Sequence, residues 1–135
     1  MPNVVLIHTD DTGRYVGPYG HDIDTPNLST LADDGILFRD AYCAGPTCSP
    51  SRAAVMTGQP PHVNGMLGLA HRGFSLSEPD HHLAGYLSRN GFESILIGQQ
   101  HEADSEGMDR REAARELLGY DRVLAGDRGE VRDLP

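Results

Sequence analysis

The chain has 135 residues, 38% of them hydrophobic and 6% aromatic, which suffices for one ordinary domain with its own core. With 11 basic and 20 acidic side chains its formal charge is -9, which argues against non-specific binding to nucleic acid or an anionic membrane surface. No run approaches the roughly 20 apolar residues of a membrane span, and Met1-Pro2-Asn3 enters an apolar segment without a basic leader, so a soluble, cytoplasmic protein is expected.

In chain order, Val4-Val5-Leu6-Ile7 is a continuous, partly β-branched apolar run, predicting a strand buried on both faces of a parallel sheet. Asp10-Asp11-Thr12-Gly13 ends it with turn chemistry. Thr25-Pro26 is a cap followed by proline at the first helical position; Leu28 and Leu31 share one face of that helix, and Gly35 is its expected cap. Ile36 to Tyr42 is a second candidate strand. Ser49-Pro50 repeats the cap-proline signal for a helix through Ala53, Ala54, Val55 and Met56, stopping near Gly58.

A loop rich in Gly, Pro and His covers about residues 58–80. Leu83, Tyr86 and Leu87 mark a short helix ended by Asn90-Gly91. Ser94 to Gly98 is a third strand, and Met108 to Leu118 a last helix closed by Gly119. Alternating strands and helices predict an α/β fold, part of a mostly parallel sheet with helices on both faces.

Ligands of open α/β sheets collect beyond the carboxyl ends of the strands. Three polar clusters occupy such places: Asp10-Asp11, Cys48 to Arg52, and Gln99 to His101. Paired carboxylates at a turn suit a hard divalent cation, although Asp-Asp is also an ordinary solvated turn. Cys48 falls just outside the predicted helix N-terminus, where free N–H groups and the helix dipole favour an anion. Arg52, one turn in, adds a fork of donors matched to oxyanions. A thiolate nucleophile and a buried structural cysteine are both compatible with that position. Cys43 and Cys48 form no disulfide framework.

His101 can act as an acid or as a donor to an oxyanion near neutral pH. His8, His21, His62, His71, His81 and His82 show no zinc-type spacing, and the pair His81-His82 has no assigned role.

Together these clusters resemble the sulfatase family, a branch of the alkaline-phosphatase-like superfamily. The matching segments are Val5-Leu6-Ile7-His8-Thr9-Asp10-Asp11, Thr25-Pro26-Asn27-Leu28, Gly35-Ile36-Leu37-Phe38 and Cys48-Ser49-Pro50-Ser51-Arg52-Ala53-Ala54-Val55-Met56-Thr57-Gly58. Pro61-His62-Val63-Asn64-Gly65-Met66 is further similar to the N-sulfoglucosamine sulfohydrolase (sulfamidase) branch.

The resemblance implies hydrolysis of sulfate esters or sulfamates. Cys48 would be oxidised to formylglycine by a formylglycine-generating enzyme, and the hydrated aldehyde would supply the nucleophile. The resemblance also implies one Ca²⁺ ion (Mg²⁺ or Mn²⁺ as substitutes) held by Asp10, Asp11 and the modified Cys48. Arg52 would steady formylglycine and the metal shell, and Gln99 and His101 would meet the small-molecule or carbohydrate sulfate. Within the same superfamily, phosphodiester or phosphonate-ester hydrolysis is the alternative; a non-catalytic remnant with unmodified Cys48 is another.

Two departures stand out. The family usually has lysine at the place of Gln99 in Gly98-Gln99-Gln100-His101, and its members are several times longer than 135 residues. Residues 1–135 are therefore expected to be the N-terminal part of a catalytic domain, a fragment or truncated product.

Overall fold

The computed structural model describes residues 2–104 and 107–124. The chain divides into two compact units, Met1–Tyr42 and Cys43–Pro135.

The first unit contains a 3-10 turn, Gly17–Tyr19, and helix α1, Pro26–Asp34. As expected, α1 opens with proline after Thr25 at the N-cap, but the Thr25 side chain makes no capping bond. The Thr25 hydroxyl instead accepts the Gly17 N–H at 2.9 Å, joining the turn to the helix. Gly35 follows α1 with φ of -120°, outside the left-handed region predicted for a cap. A Cβ there would approach the Leu31 carbonyl to 2.9 Å, so close packing is what favours glycine.

The two strands expected in this unit are absent. Val4, Val5, Leu6 and Ile7 are 59–81% exposed, as are Ile36 at 81% and Phe38 at 68%. Apolar, β-branched sequence makes a strand only where a neighbour receives its backbone hydrogen bonds. Neither segment has such a neighbour among the described residues. Polar contacts hold the unit instead, including a hydrogen bond from the Tyr19 hydroxyl to the Phe38 carbonyl at 3.0 Å.

The second unit begins with α2, Cys48–Thr57, followed by α3, Pro61–Asn64, and α4, Leu83–Arg89. Strand β1 is Ile95–Ile97, α5 is Arg110–Leu118, and β2 is Arg122–Leu124. β1 and β2 pair in parallel, Leu96 opposite Val123, with α5 as the crossover. This is a compact β-α-β unit, the element from which parallel α/β sheets are built. The α/β expectation holds at that level; the sheet has two strands among the described residues.

Gly58 ends α2 in the left-handed conformation (φ 67°), its N–H bonded to the Ala54 carbonyl at 2.9 Å, as its position predicts. The segment expected to be a loop is more ordered, and Asn64 is the reason. Its buried amide donates to the Thr57 hydroxyl at 3.1 Å and the Gln59 carbonyl at 3.0 Å, and accepts the Met66 N–H at 2.9 Å. Met66 is thereby delivered to the core, where it joins Ala53, Ala70, Leu76 and Leu118, with Ala103 and Tyr120 against them. No helix among the described residues is long and apolar enough to cross a membrane.

Candidate active site

Cys48 is the first residue of α2, two positions further into the helix than expected, and Thr47 stands at the N-cap in extended conformation. The shift follows from Pro50. Proline lacks an N–H, and any place in the first turn spares it an intrahelical donor bond. The first bond of the helix therefore runs from the Ser51 N–H to the Thr47 carbonyl at 2.9 Å. Ser49 is not a cap: it is buried, and its hydroxyl accepts the Ala70 N–H at 3.2 Å. That bond anchors the start of α2 to the core while leaving Cys48 half-buried at the rim.

Arg52 lies four residues after Cys48, hence on the same helix face, and helical side chains lean toward the N-terminus. Its Nη1 donates to the Gln99 carbonyl at 3.5 Å, bringing α2 against the turn that leaves β1. Two of the three predicted clusters thus meet, Cys48–Arg52 with Gln99–His101. The Gln99 side chain is exposed and His101 half-buried. The Gln100 amide shapes the turn, accepting the Glu102 N–H at 2.8 Å and the Ala103 N–H at 2.9 Å, and donating to the Ala103 carbonyl at 3.0 Å.

The third cluster belongs to the other unit. Asp10 and Asp11 are exposed at a bend, with Asp11 in the left-handed region (φ 52°) and the Asp10 carbonyl receiving the Thr12 hydroxyl at 3.4 Å. The turn chemistry is as predicted, but the preceding strand is not formed. Its carboxyl end therefore does not place them; that rule applies here to β1 and Gln99–His101. Among the described residues no three His, Cys, Asp or Glu side chains converge as a metal shell.

Two groups beside Arg52 were not anticipated. Glu102 is 5% exposed, its Oε2 accepting the His101 N–H at 2.7 Å. Burial pushes its pKa above the ordinary carboxylate range, opposed by that N–H and by the Arg52 charge. Tyr120 packs nearby; burial, then the Glu102 charge, push its pKa up to about 12. An acidic residue directly after His101 was a visible signal for Glu102, whereas nothing local marked Tyr120. His82, left without a role, caps α4: its Nδ1 accepts the Ala84 N–H at 3.3 Å, and its ring meets Tyr120 edge-on at 5.5 Å.

A parallel β-α-β unit, together with a separate helix that carries a half-buried cysteine in its first turn and an arginine one turn on, places the chain in the α/β class. The sulfatase family profile matches residues 2–132, and the chain belongs to that family of sulfuric ester hydrolases, whose fold is alkaline-phosphatase-like. It is 40% identical over 103 residues to human N-sulphoglucosamine sulphohydrolase, covering 73% of this chain and 20% of that protein. It is 35% identical over 117 residues to a sulfatase of Formosa agariphila (79% and 23% covered) and 36% identical over 128 residues to an arylsulfatase of Clostridium perfringens (93% and 24% covered). The chain thus spans between a fifth and a quarter of these relatives. No solved structure matches it significantly.

Proposed function

We propose that this chain is the nucleophile-bearing part of a sulfatase catalytic domain, which hydrolyses sulfate esters or sulfamates through a formylglycine derived from Cys48. The observation that carries the proposal is Cys48 at the start of α2, with Arg52 one turn on and bonded to the turn after β1. Both units belong to one catalytic domain on this reading. A formylglycine at position 48 would supply, as its hydrate, a hydroxyl nucleophile toward sulfur with the alcohol or amine departing, and its second hydroxyl would let sulfate leave as the aldehyde re-forms.

The chain's own groups prepare the place. The Ser49–Ala70 bond fixes the first helical turn, so the side chain at position 48 projects from a rigid base. The Cys48 and Ser49 N–H groups precede the first intrahelical bond, and the positive end of α2 favours the sulfate charge. Arg52 neutralises the same charge, and His101 faces the leaving group from the β1 turn. Gln99 contacts the substrate as a neutral donor where the family pattern has a cation.

Asp10 and Asp11 offer hard oxygen donors at a turn, the chemistry Ca²⁺ selects, with Mg²⁺ or Mn²⁺ as substitutes. Two carboxylates fill part of a shell of six to eight oxygens. A cation held there would supply Lewis-acid polarisation of a sulfate oxygen. The substrate class is a sulfated small molecule or carbohydrate, and the maturation partner is a formylglycine-generating enzyme.

Co-expression with such an enzyme and intact-mass analysis test the proposal. The expected result is replacement of the Cys48 thiol by an aldehyde, absent in Cys48→Ala, and hydrolysis of an aryl sulfate or sulfamate by the matured protein containing this chain. A matured protein that cleaves phosphodiesters and no sulfates overturns the assignment; an unmodified, inert Cys48 supports the remnant.

A further inference from the structure

Two glutamines stand side by side in the turn after β1, and their side chains are placed differently. Gln99 is exposed, whereas Gln100 is half-buried and folds back onto its own chain. Its Oε1 accepts the Glu102 N–H at 2.8 Å and the Ala103 N–H at 2.9 Å, and its Nε2 donates to the Ala103 carbonyl at 3.0 Å. Both lone pairs of the amide oxygen are thereby used. Two N–H groups at one end and a carbonyl at the other allow the amide a single orientation. An apolar side chain of the same size would leave those backbone groups without these bonds, at a cost wherever water is excluded.

The clasp encloses His101. At its start the turn is tied by the Gly98 N–H, which bonds to the Leu124 carbonyl at 3.2 Å and prolongs the β1–β2 ladder. Gly98 has φ of 103°, a conformation glycine adopts without strain, and the chain leaves the strand there. At its end Ala103 packs against the hydrophobic core. Between these anchors Glu102 Oε2 accepts the His101 N–H at 2.7 Å, and Gln100 accepts the next two N–H groups of the chain. With the backbone held on both sides, the Cα–Cβ bond of His101 leaves the chain in one direction. Resting on the proposed function, we infer that Gln100 is a positioning residue: its carboxamide closes the turn around His101 and so fixes the direction in which the imidazole meets the leaving group. The adjacent glutamines thus divide the work, Gln99 toward the substrate and Gln100 toward the chain.

The test reads His101 in the ¹³C,¹⁵N-labelled chain before any maturation. Its side-chain couplings are expected to report one χ1 rotamer, and the Glu102 and Ala103 amides to exchange slowly. Gln100→Leu, similar in size but unable to make the clasp, is expected to speed exchange at both amides about tenfold, the weight of one hydrogen bond, and to average the His101 couplings over several rotamers. The Met66 methyl of the core stays unmoved. Gln100→Glu keeps the reach and both accepted bonds, and is expected to restore slow exchange and the single rotamer. A His101 already averaged in the unsubstituted chain overturns the proposal. So does a rotamer unchanged in Gln100→Leu, because the clasp then serves the turn alone, and so does averaging that Gln100→Glu leaves in place. If Gln100→Leu fails to fold, which a displaced Met66 methyl reveals, Gln100→Asn, one methylene short of the same bonds, replaces it. In the matured protein Gln100→Leu is expected to lower kcat for an aryl sulfate about 10²-fold with KM little changed, the cost of a group displaced by roughly 1 Å. A raised KM at unchanged kcat overturns the role. Complete absence of sulfate hydrolysis overturns the proposed function, and the couplings still decide whether Gln100 holds His101.

Discussion

Ser94 and Asp121 hold each other at the entrance to the parallel pair. The Asp121 carboxylate accepts the Ser94 N–H at 2.8 Å and its hydroxyl at 3.0 Å, while the Ser94 carbonyl accepts the Asp121 N–H at 3.0 Å. The Ser88 hydroxyl adds a bond at 2.7 Å from the end of α4. The Ser94 N–H foremost, then the hydroxyls, pull the Asp121 carboxyl below its usual range.

A depressed folded pKa stabilises the fold above the unfolded value, and the contribution disappears as pH falls through the folded one. Asp121→Asn is therefore expected to melt earlier at neutral pH and to show a shallower loss of stability below about pH 4. Thermal unfolding followed by circular dichroism across that range checks both. An unchanged melting temperature at neutral pH rules the linkage out.

His82 has the opposite charge type but the same direction of linkage. Burial lowers its pKa from 6.5 to about 4; the Leu118 carbonyl offsets part of this, although no well-formed hydrogen bond reaches Nε2. The unfolded chain binds the proton more readily, so stability is lost as pH falls from about 6.5 toward 4. The full shift corresponds to about 3 kcal/mol. His82→Asn keeps a helix-capping side chain and cannot ionise, and urea titrations are expected to show its pH dependence reduced in this window. An unchanged slope would place the effect elsewhere.

On the proposed function, the anion site combines Arg52 as a cation with Gln99 as a neutral donor. In the matured enzyme, Arg52→Lys is expected to lower aryl-sulfate turnover about 10²-fold, as removal of one oriented donor typically does. Gln99→Lys is expected to tighten inhibition by inorganic sulfate about tenfold, the lower end of a charge-assisted bond because position 99 is exposed. Steady-state kinetics with sulfate as inhibitor reads both. Weaker inhibition in Gln99→Lys would remove residue 99 from the anion site.

Helices α4 and α5 meet at a pair of glycines. A Cβ on Gly119 would lie 2.6 Å from the Gly85 Cα, and Gly119 has φ of 76°. Gly119→Ala combines left-handed strain with a backbone clash and is expected to cost about 3 kcal/mol. Gly58→Ala, with φ of 67° and open space around its Cβ, is expected to cost about 1 kcal/mol from strain alone. Denaturant midpoints compare them, and equal losses would refute the packing component.

What was legible locally was punctuation. Pro26 and Pro50 mark helix starts, Gly58 and Gly119 mark ends, and α1, α2, α4, α5 and β1 follow where those signals fall. Position 48 was readable to within two residues, because a proline in the first turn does not say which place in the turn it takes. Strand identity was less legible. Val4–Ile7 has stronger β composition than Arg122-Val123-Leu124, yet the latter forms β2, because α5 returns it alongside β1. The order within residues 58–80 comes from one asparagine whose bonds exist only after folding. Glu102 and Tyr120 gain their meaning from Arg52, about fifty and seventy residues earlier, a relation no local pattern contains.

The parallel pairing of β1 with β2 also sets a timetable. A hairpin strand finds its partner within a few residues, but Ile95–Ile97 must wait for the whole of α5 and then Arg122–Leu124 to be synthesised. Helix α2 and the Asn64 knot draw mainly on nearer residues and can form while the ribosome is still upstream of that point. The sheet is therefore complete only once β2 has been made, well after synthesis of the cysteine helix. Without Arg122–Leu124, β1 and the Gln99–Ala103 turn that follows it would have no paired strand among the described residues.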